Sequence, residues 1–100
     1  MEKRRSHYGL AQVQAEVALR GSSAFTRTAL DGGRAMGLTS VEMLVVIASL
    51  SHRDFYKLMT TYDDHRIWQD VYHAAAPSRK TAYIKFTLRG GAPVIQFKEA

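Results

Sequence analysis

Hydrophobic residues change their period once along this 100-residue chain, near Lys57, and that change limits the folds open to it. Before it, apolar positions recur at helical spacing. From Tyr8 to Arg20, Leu10, Val13 and Val17 define one face with Ala11 and Ala18 beside them, and Gln12, Gln14 and Glu16 form the wet side. Ser6 is placed to cap this helix and Gly21 to stop it. Ser22 to Phe25 predicts a short extended link. Thr26 then caps a second helix running to Met36 and closed by Gly37. Gly32-Gly33 lies inside it, and a glycine in a helix interior costs about 1 kcal/mol against alanine, so this helix is expected to be short or frayed. Thr39-Ser40-Val41-Glu42 is a capping box opening a third helix. Its run Val41, Met43, Leu44, Val45, Val46, Ile47, Leu50 is apolar on nearly all sides, which predicts the most buried helix; its β-branched residues also permit a strand, but the box favours a helix. Ser51-His52-Arg53-Asp54 offers one more start, for a single turn around Phe55 and Tyr56.

After Lys57 the period is two. Met59 to Tyr62 reads as a strand and Asp63-Asp64-His65-Arg66 as a turn. Ile67 to His73 alternates, with Ile67, Gln69 and Val71 opposite Trp68, Asp70 and Tyr72. Ala74 to Lys80, with Pro77 and Ser78, reads as a loop. Thr81 to Leu88 alternates again, Ala82, Ile84, Phe86 and Leu88 opposing Tyr83, Lys85 and Thr87. Gly90-Gly91 marks a hairpin into a last strand, Val94 to Lys98, with Pro93 at its start. Helices first and an antiparallel meander last predict one α+β domain over residues 1–100, with the helices packed on one sheet face. The opposite face would show Tyr83, Lys85, Gln96 and Lys98 to solvent.

Charge bears on what such a face could meet. Fourteen basic residues, nine of them arginine, against nine acidic ones leave a net charge of +5, which attracts polyanions such as RNA or DNA. Without cysteine there are no disulfides and no thiolate metal sites. No apolar run approaches the roughly 20 residues of a membrane span. The basic N-terminus has no hydrophobic signal segment behind it, so a cytoplasmic protein is expected.

The chemistry concentrates in residues 54–72, which hold Tyr56, Tyr62, Tyr72, the sole tryptophan and several charged groups. Neither standard glycine-rich phosphate loop occurs, nor an H-E-x-x-H, and His7, His52, His65 and His73 lack metal-ligand spacing. Asp63, Asp64, His65 and Asp70 form at best a weak divalent-ion set, since aspartates gather in turns for backbone reasons. Phosphodiester cleavage of RNA needs no metal. The 2′-hydroxyl is an internal nucleophile, and the protein has to orient it, accept its proton and stabilise the phosphate charge. Lys57, Gln69, Tyr83, Arg89 and Lys98 supply suitable groups on or beside the wet face. Taken singly, lysines are usually solvated and tyrosines usually bury their rings. Residues alone stop at a basic α+β domain, equally readable as a non-catalytic RNA- or DNA-binding regulator or as a protein-docking module.

The stretches Phe55-Tyr56-Lys57, Met59-Thr60-Thr61-Tyr62, Asp64-His65 and Ile67-Trp68-Gln69-Asp70-Val71-Tyr72 closely resemble the signature region of the MqsR family, toxins of bacterial type II toxin–antitoxin pairs. Met1-Glu2-Lys3-Arg4, Tyr83 followed by Lys85, and Phe97-Lys98-Glu99 are similar too, so the resemblance spans the chain. It implies a RelE-like fold and an endoribonuclease that needs no cofactor. Such an mRNA interferase cuts messenger RNA at GC-containing triplets without the ribosome. It also implies an MqsA-like antitoxin, zinc-containing and DNA-binding, as partner. Carried over residue by residue, the family's catalytic positions fall on Lys57, Gln69, Tyr83 and Lys98, with Met59 beside them. Met59, Lys85 and Arg89 are expected to bind substrate, although Arg89 stands where relatives can carry histidine. The Gly32-Gly33 pair and the 74–80 segment also depart from the family pattern. On this reading Lys57 or Lys98 takes the 2′-hydroxyl proton while the other holds phosphate. Tyr83 orients the phosphate or assists the leaving 5′-oxygen, and Gln69 positions a base or phosphate oxygen. The products would be a 2′,3′-cyclic phosphate and a 5′-hydroxyl.

Overall fold

Three helices followed by four antiparallel strands make an α+β fold, seen in a computed structural model that describes residues 5–100. The similarity of residues 1–4 to the family's opening lies outside the described residues. Helix α1 is Leu10–Arg20, α2 is Arg27–Ala35 and α3 is Ser40–Ala48. The strands are β1 (Phe55–Thr60), β2 (Trp68–Ala75), β3 (Thr81–Arg89) and β4 (Ala92–Glu99), ordered β1-β2-β3-β4.

The helices keep most of their predicted signals. Gly21 stops α1 at a positive φ of 62°, and its amide bonds the Val17 carbonyl. Thr26 Oγ1 accepts from the Ala29 amide at 3.0 Å. The Thr39–Glu42 box is complete, with the Glu42 amide donating to Thr39 Oγ1 at 3.1 Å and the Thr39 amide to Glu42 Oε1 at 2.9 Å. Other expectations are corrected. Gly9, not Ser6, is the N-cap of α1, because Ser6 belongs to a segment drawn onto the sheet. Residues Gly21–Ala24 form a 3-10 turn instead of an extended link, and only Phe25 is extended, bridging Ile95. Gln14 is half-buried instead of lying wholly on the wet side. Its Nε2 reaches the Ile47, Ala48 and Leu50 carbonyls at 3.0, 3.2 and 2.9 Å, tying α1 to the end of α3 and the turn after it. Helix α3 buries Met43, Val46 and Ile47 but exposes Val41 and Val45, so it is one-sided.

The α2 glycines do not fray the helix. A Cβ at Gly32 would run into the Phe97 carbonyl of β4, and one at Gly33 into the Met43 side chain of α3. Glycine here lets α2 lie directly against a strand and a neighbouring helix, and that packing outweighs the propensity cost. Phe25 and Phe97 meet edge-to-face at 6.2 Å beneath it. The core of Val13, Met36, Ile47, Tyr72, Ile84, Phe86, Ile95 and Phe97 fills the space between helices and sheet.

Strand boundaries differ more. The Ser51–Asp54 start yields a 3-10 turn at His52–Asp54, while Phe55 and Tyr56 open β1, so Lys57 sits in a strand. Tyr62 lies beyond β1 and is exposed. β2 continues to Ala75, shortening the predicted 74–80 loop, and β4 begins two residues early at Ala92. Gly90 and Gly91, at φ 58° and 82°, form the two-residue connection between β3 and β4.

Asp70 fixes the N-terminal segment to the sheet. Its fully buried carboxylate accepts the His7 and Tyr8 amides at 2.7 and 2.8 Å. The Tyr8 hydroxyl donates to the Trp68 carbonyl at 3.2 Å and shares a 2.6 Å hydrogen bond with Thr87 Oγ1, just past the last β2–β3 pair, Asp70↔Phe86. Burial raises the Asp70 pKa, against the pull of the two amides. The folded state therefore holds this proton more tightly than the unfolded chain, so its contribution to stability falls as pH climbs from 3.8 through the raised value. Asp70→Ala would orphan both amides. At about 1 kcal/mol for each part-buried amide left without its partner, we expect a loss of about 2 kcal/mol in urea unfolding; an unchanged midpoint would show that the segment is held by other means.

Candidate active site

Strand register assigns each candidate residue to a face. Tyr72, Ile84 and Phe97 share one row of the core face, so their chain neighbours His73, Tyr83 and Lys98 share a row on the face turned away from the helices. One row along lie Lys57, Val71, Lys85 and Gln96, and beyond them Met59 opposite Gln69. All seven candidates, Lys57, Met59, Gln69, Tyr83, Lys85, Arg89 and Lys98, fall on this face. They are not equally close. Successive rows on one face are about 7 Å apart, and the four strands span about 14 Å. Lys57 and Lys98 therefore start from opposite edge strands, and long side chains have to close the gap. Lys85, on an inner strand, is between them. Arg89 ends β3 at the hairpin, four residues or about 13 Å beyond Lys85, and stands apart from the group.

The middle row sets the electrostatics. Val71 is fully buried although it faces away from the helices, so only neighbours on this face, Lys57 and Lys85 among them, can cover it. Lys85 is itself half-buried. Burial lowers its pKa from the usual 10.5, and the charges of Lys98 and Lys57 lower it further. Lys98 Nζ sits 5.1 Å from the centre of the Tyr83 ring, within cation–π range. Lys57 Nζ lies 5.5 Å from the centre of the Tyr56 ring.

Two residues on this face escaped sequence reading. β1 is bulged between Phe55 and Lys57, and the extra residue, Tyr56, stacks on His73 with ring centres 4.1 Å apart and planes at 13°. His73 in turn leans on Tyr83 at 5.4 Å. Alternation along β2 does put His73 beside Gln69 and Val71, which was a usable signal. Nothing in composition announces a bulge.

The acidic turn is occupied locally. Asp64 accepts from the Arg66 backbone amide at 2.9 Å and from its guanidinium at 3.0 Å, and the guanidinium bond is the main cause of the lowered Asp64 pKa.

The chain matches known proteins in two comparisons. The family described as motility quorum-sensing regulator, toxin of MqsA, matches residues 5–99. The mRNA interferase toxin MqsR of Escherichia coli (strain K12) is 42% identical over 99 residues, covering 99% of each chain.

Proposed function

Since this chain belongs to the motility quorum-sensing regulator family, the toxins of MqsA, we propose that the sheet face carrying Lys57, Lys85 and Lys98 cuts messenger RNA through the substrate's own 2′-hydroxyl. The protein is then the toxin of a toxin–antitoxin pair and an endoribonuclease. The observation that carries the chemistry is the half-buried Lys85 between two further lysines, a setting that favours its neutral amine.

In this reading the Lys85 amine takes the 2′-proton as the 2′-oxygen attacks phosphorus. Lys57 and Lys98, on the two edge strands, hold the phosphate oxygens from two sides. Tyr83 orients the phosphate, and either its hydroxyl or the Lys98 ammonium delivers a proton to the departing 5′-oxygen. One phosphorus–oxygen bond forms and one breaks, leaving a 2′,3′-cyclic phosphate and a 5′-hydroxyl without a metal. Gln69, with Met59 opposite it, lies one row from Lys85 and contacts a base or phosphate oxygen of the neighbouring nucleotide. Arg89, at the hairpin, meets RNA farther along the strand. Cutting at GC-containing triplets without the ribosome belongs to this proposal, as does neutralisation by a zinc-containing, DNA-binding MqsA-like antitoxin. Cytoplasmic action follows from the substrate, and among the described residues no helix is long and apolar enough to cross a membrane.

Incubation with a long unstructured RNA in excess EDTA tests this. Discrete cuts with cyclic-phosphate ends are expected, slowed about 100-fold or more in Lys57→Ala and Tyr83→Phe, the range for losing a positioned electrostatic or acid–base group. Intact RNA with folded protein would overturn the proposal in favour of a basic binding module, whose affinity would fall steeply with salt.

A further inference from the structure

Tyr56 is exposed over 56% of its surface, yet its ring is held in place. The β1 bulge turns it onto the site face, and one side of the ring lies flat on His73 at 4.1 Å. His73 Nε2 is buried with no hydrogen-bond partner among the described residues, and the ring touches those of both Tyr56 and Tyr83. The three rings make a track across β1, β2 and β3 that ends at the lysine above Tyr83. An exposed tyrosine ordinarily samples several rotamers, and here stacking has already restricted it.

We infer that the outer face of Tyr56 is a stacking platform for one unpaired nucleobase of the RNA, on the nucleotide next to the scissile phosphate. This rests on the reading of the face as a ribonuclease site. Base–aromatic stacking suits a single-stranded substrate, because every base offers a π-face and the ring needs no reorganisation. The neighbouring Lys57 fixes the register. Its ammonium, 5.5 Å from the ring centre, leaves the aromatic ring for the phosphate when RNA binds, and the base of that nucleotide takes its place. His73 acts as a positioning residue, backing the platform and linking it to Tyr83.

A single-stranded, GC-containing oligonucleotide with 2′-fluoro groups throughout cannot be cleaved, so it reports binding alone. 2-Aminopurine is moved through every position, and its fluorescence is read with wild-type protein, Tyr56→Phe and Tyr56→Ala, each checked for fold by circular dichroism. Quenching at one position is expected with wild type and Tyr56→Phe. With Tyr56→Ala that quenching should disappear and affinity should fall about tenfold. Quenching that survives in Tyr56→Ala, or no quenched position at all, overturns the platform. A parallel assay on unmodified RNA separates the two readings. Cleavage by wild type without a Tyr56-dependent base leaves the ribonuclease standing and removes the platform. A Tyr56-dependent base without cleavage keeps the platform as a binding site and removes the enzyme.

Discussion

Gly32→Ala should cost about 3 kcal/mol or more, enough to leave a domain of ordinary stability largely unfolded at modest urea concentrations. The added methyl would run into the Phe97 carbonyl oxygen, with the Phe97 carbonyl carbon at 3.1 Å and Lys98 Cα at 3.3 Å. All three obstacles are backbone of β4. That strand cannot retreat without breaking its ladder to β3, which runs without interruption from Ala82↔Glu99 to Arg89↔Ala92. The clash has no rotamer to relieve it. Gly33→Ala is the internal control. It meets Met43 Sδ, Cε and Cγ, the adaptable end of a flexible side chain, and should cost about 1–2 kcal/mol. Urea unfolding of both variants decides the matter. Equal midpoints would mean that α2 does not approach β4 as closely as described. Because Lys98 follows Phe97, any relief by movement of β4 should also depress RNA cleavage if the proposed site is the right one.

The same contact shows where the sequence was legible and where it was not. Local signals translated directly into structure: the Thr39–Glu42 box, the Thr26 cap, the Gly90-Gly91 turn, and the alternation of β3 that put Tyr83 and Lys85 opposite Ile84 and Phe86. These depend on residues a few positions apart, as do the forces behind them. What failed depended on partners far along the chain. Gly32-Gly33 read as helix weakness because the obstacles, Phe97 and Met43, lie outside any local window. Ser6 read as a cap because nothing local reveals that Asp70 gathers the amides of the next two residues. Lys57 read as the end of helical scaffold because the bulge at Tyr56 disrupts the period that would have marked β1. The family resemblance supplied Lys57, Gln69, Tyr83 and Lys98 by position. It did not say that Lys57 and Lys98 stand on opposite edges of the sheet with Lys85 between them, the arrangement on which the proposal of Lys85 as base rests.

Lys85→Arg should therefore bind RNA about as well as wild type and cut it at least about 100-fold more slowly. Arginine keeps the positive charge but does not give up its proton in this pH range, so a phosphate contact survives and a base does not. Lys57→Arg should retain most of the activity, because charge is what that position supplies. The wild-type rate should rise tenfold per pH unit until it approaches the lowered Lys85 pKa, and this slope should vanish in Lys85→Arg. Stability gives a second, independent reading. Burial, Lys98 and Lys57 all lower this pKa, so the folded state binds the proton less tightly than the unfolded chain does. That penalty is fully present below the lowered value and is relieved as pH rises from there toward 10.5. Lys85→Met, which removes the charge and keeps the apolar stem, should accordingly be at least as stable as wild type near neutral pH while losing cleavage. Its advantage should shrink in alkaline solution. A Lys85→Arg enzyme that cuts at the wild-type rate would return the base to Lys57 or Lys98. A Lys85→Met protein less stable than wild type at neutral pH would mean that the three ammonium groups do not oppose one another on this face.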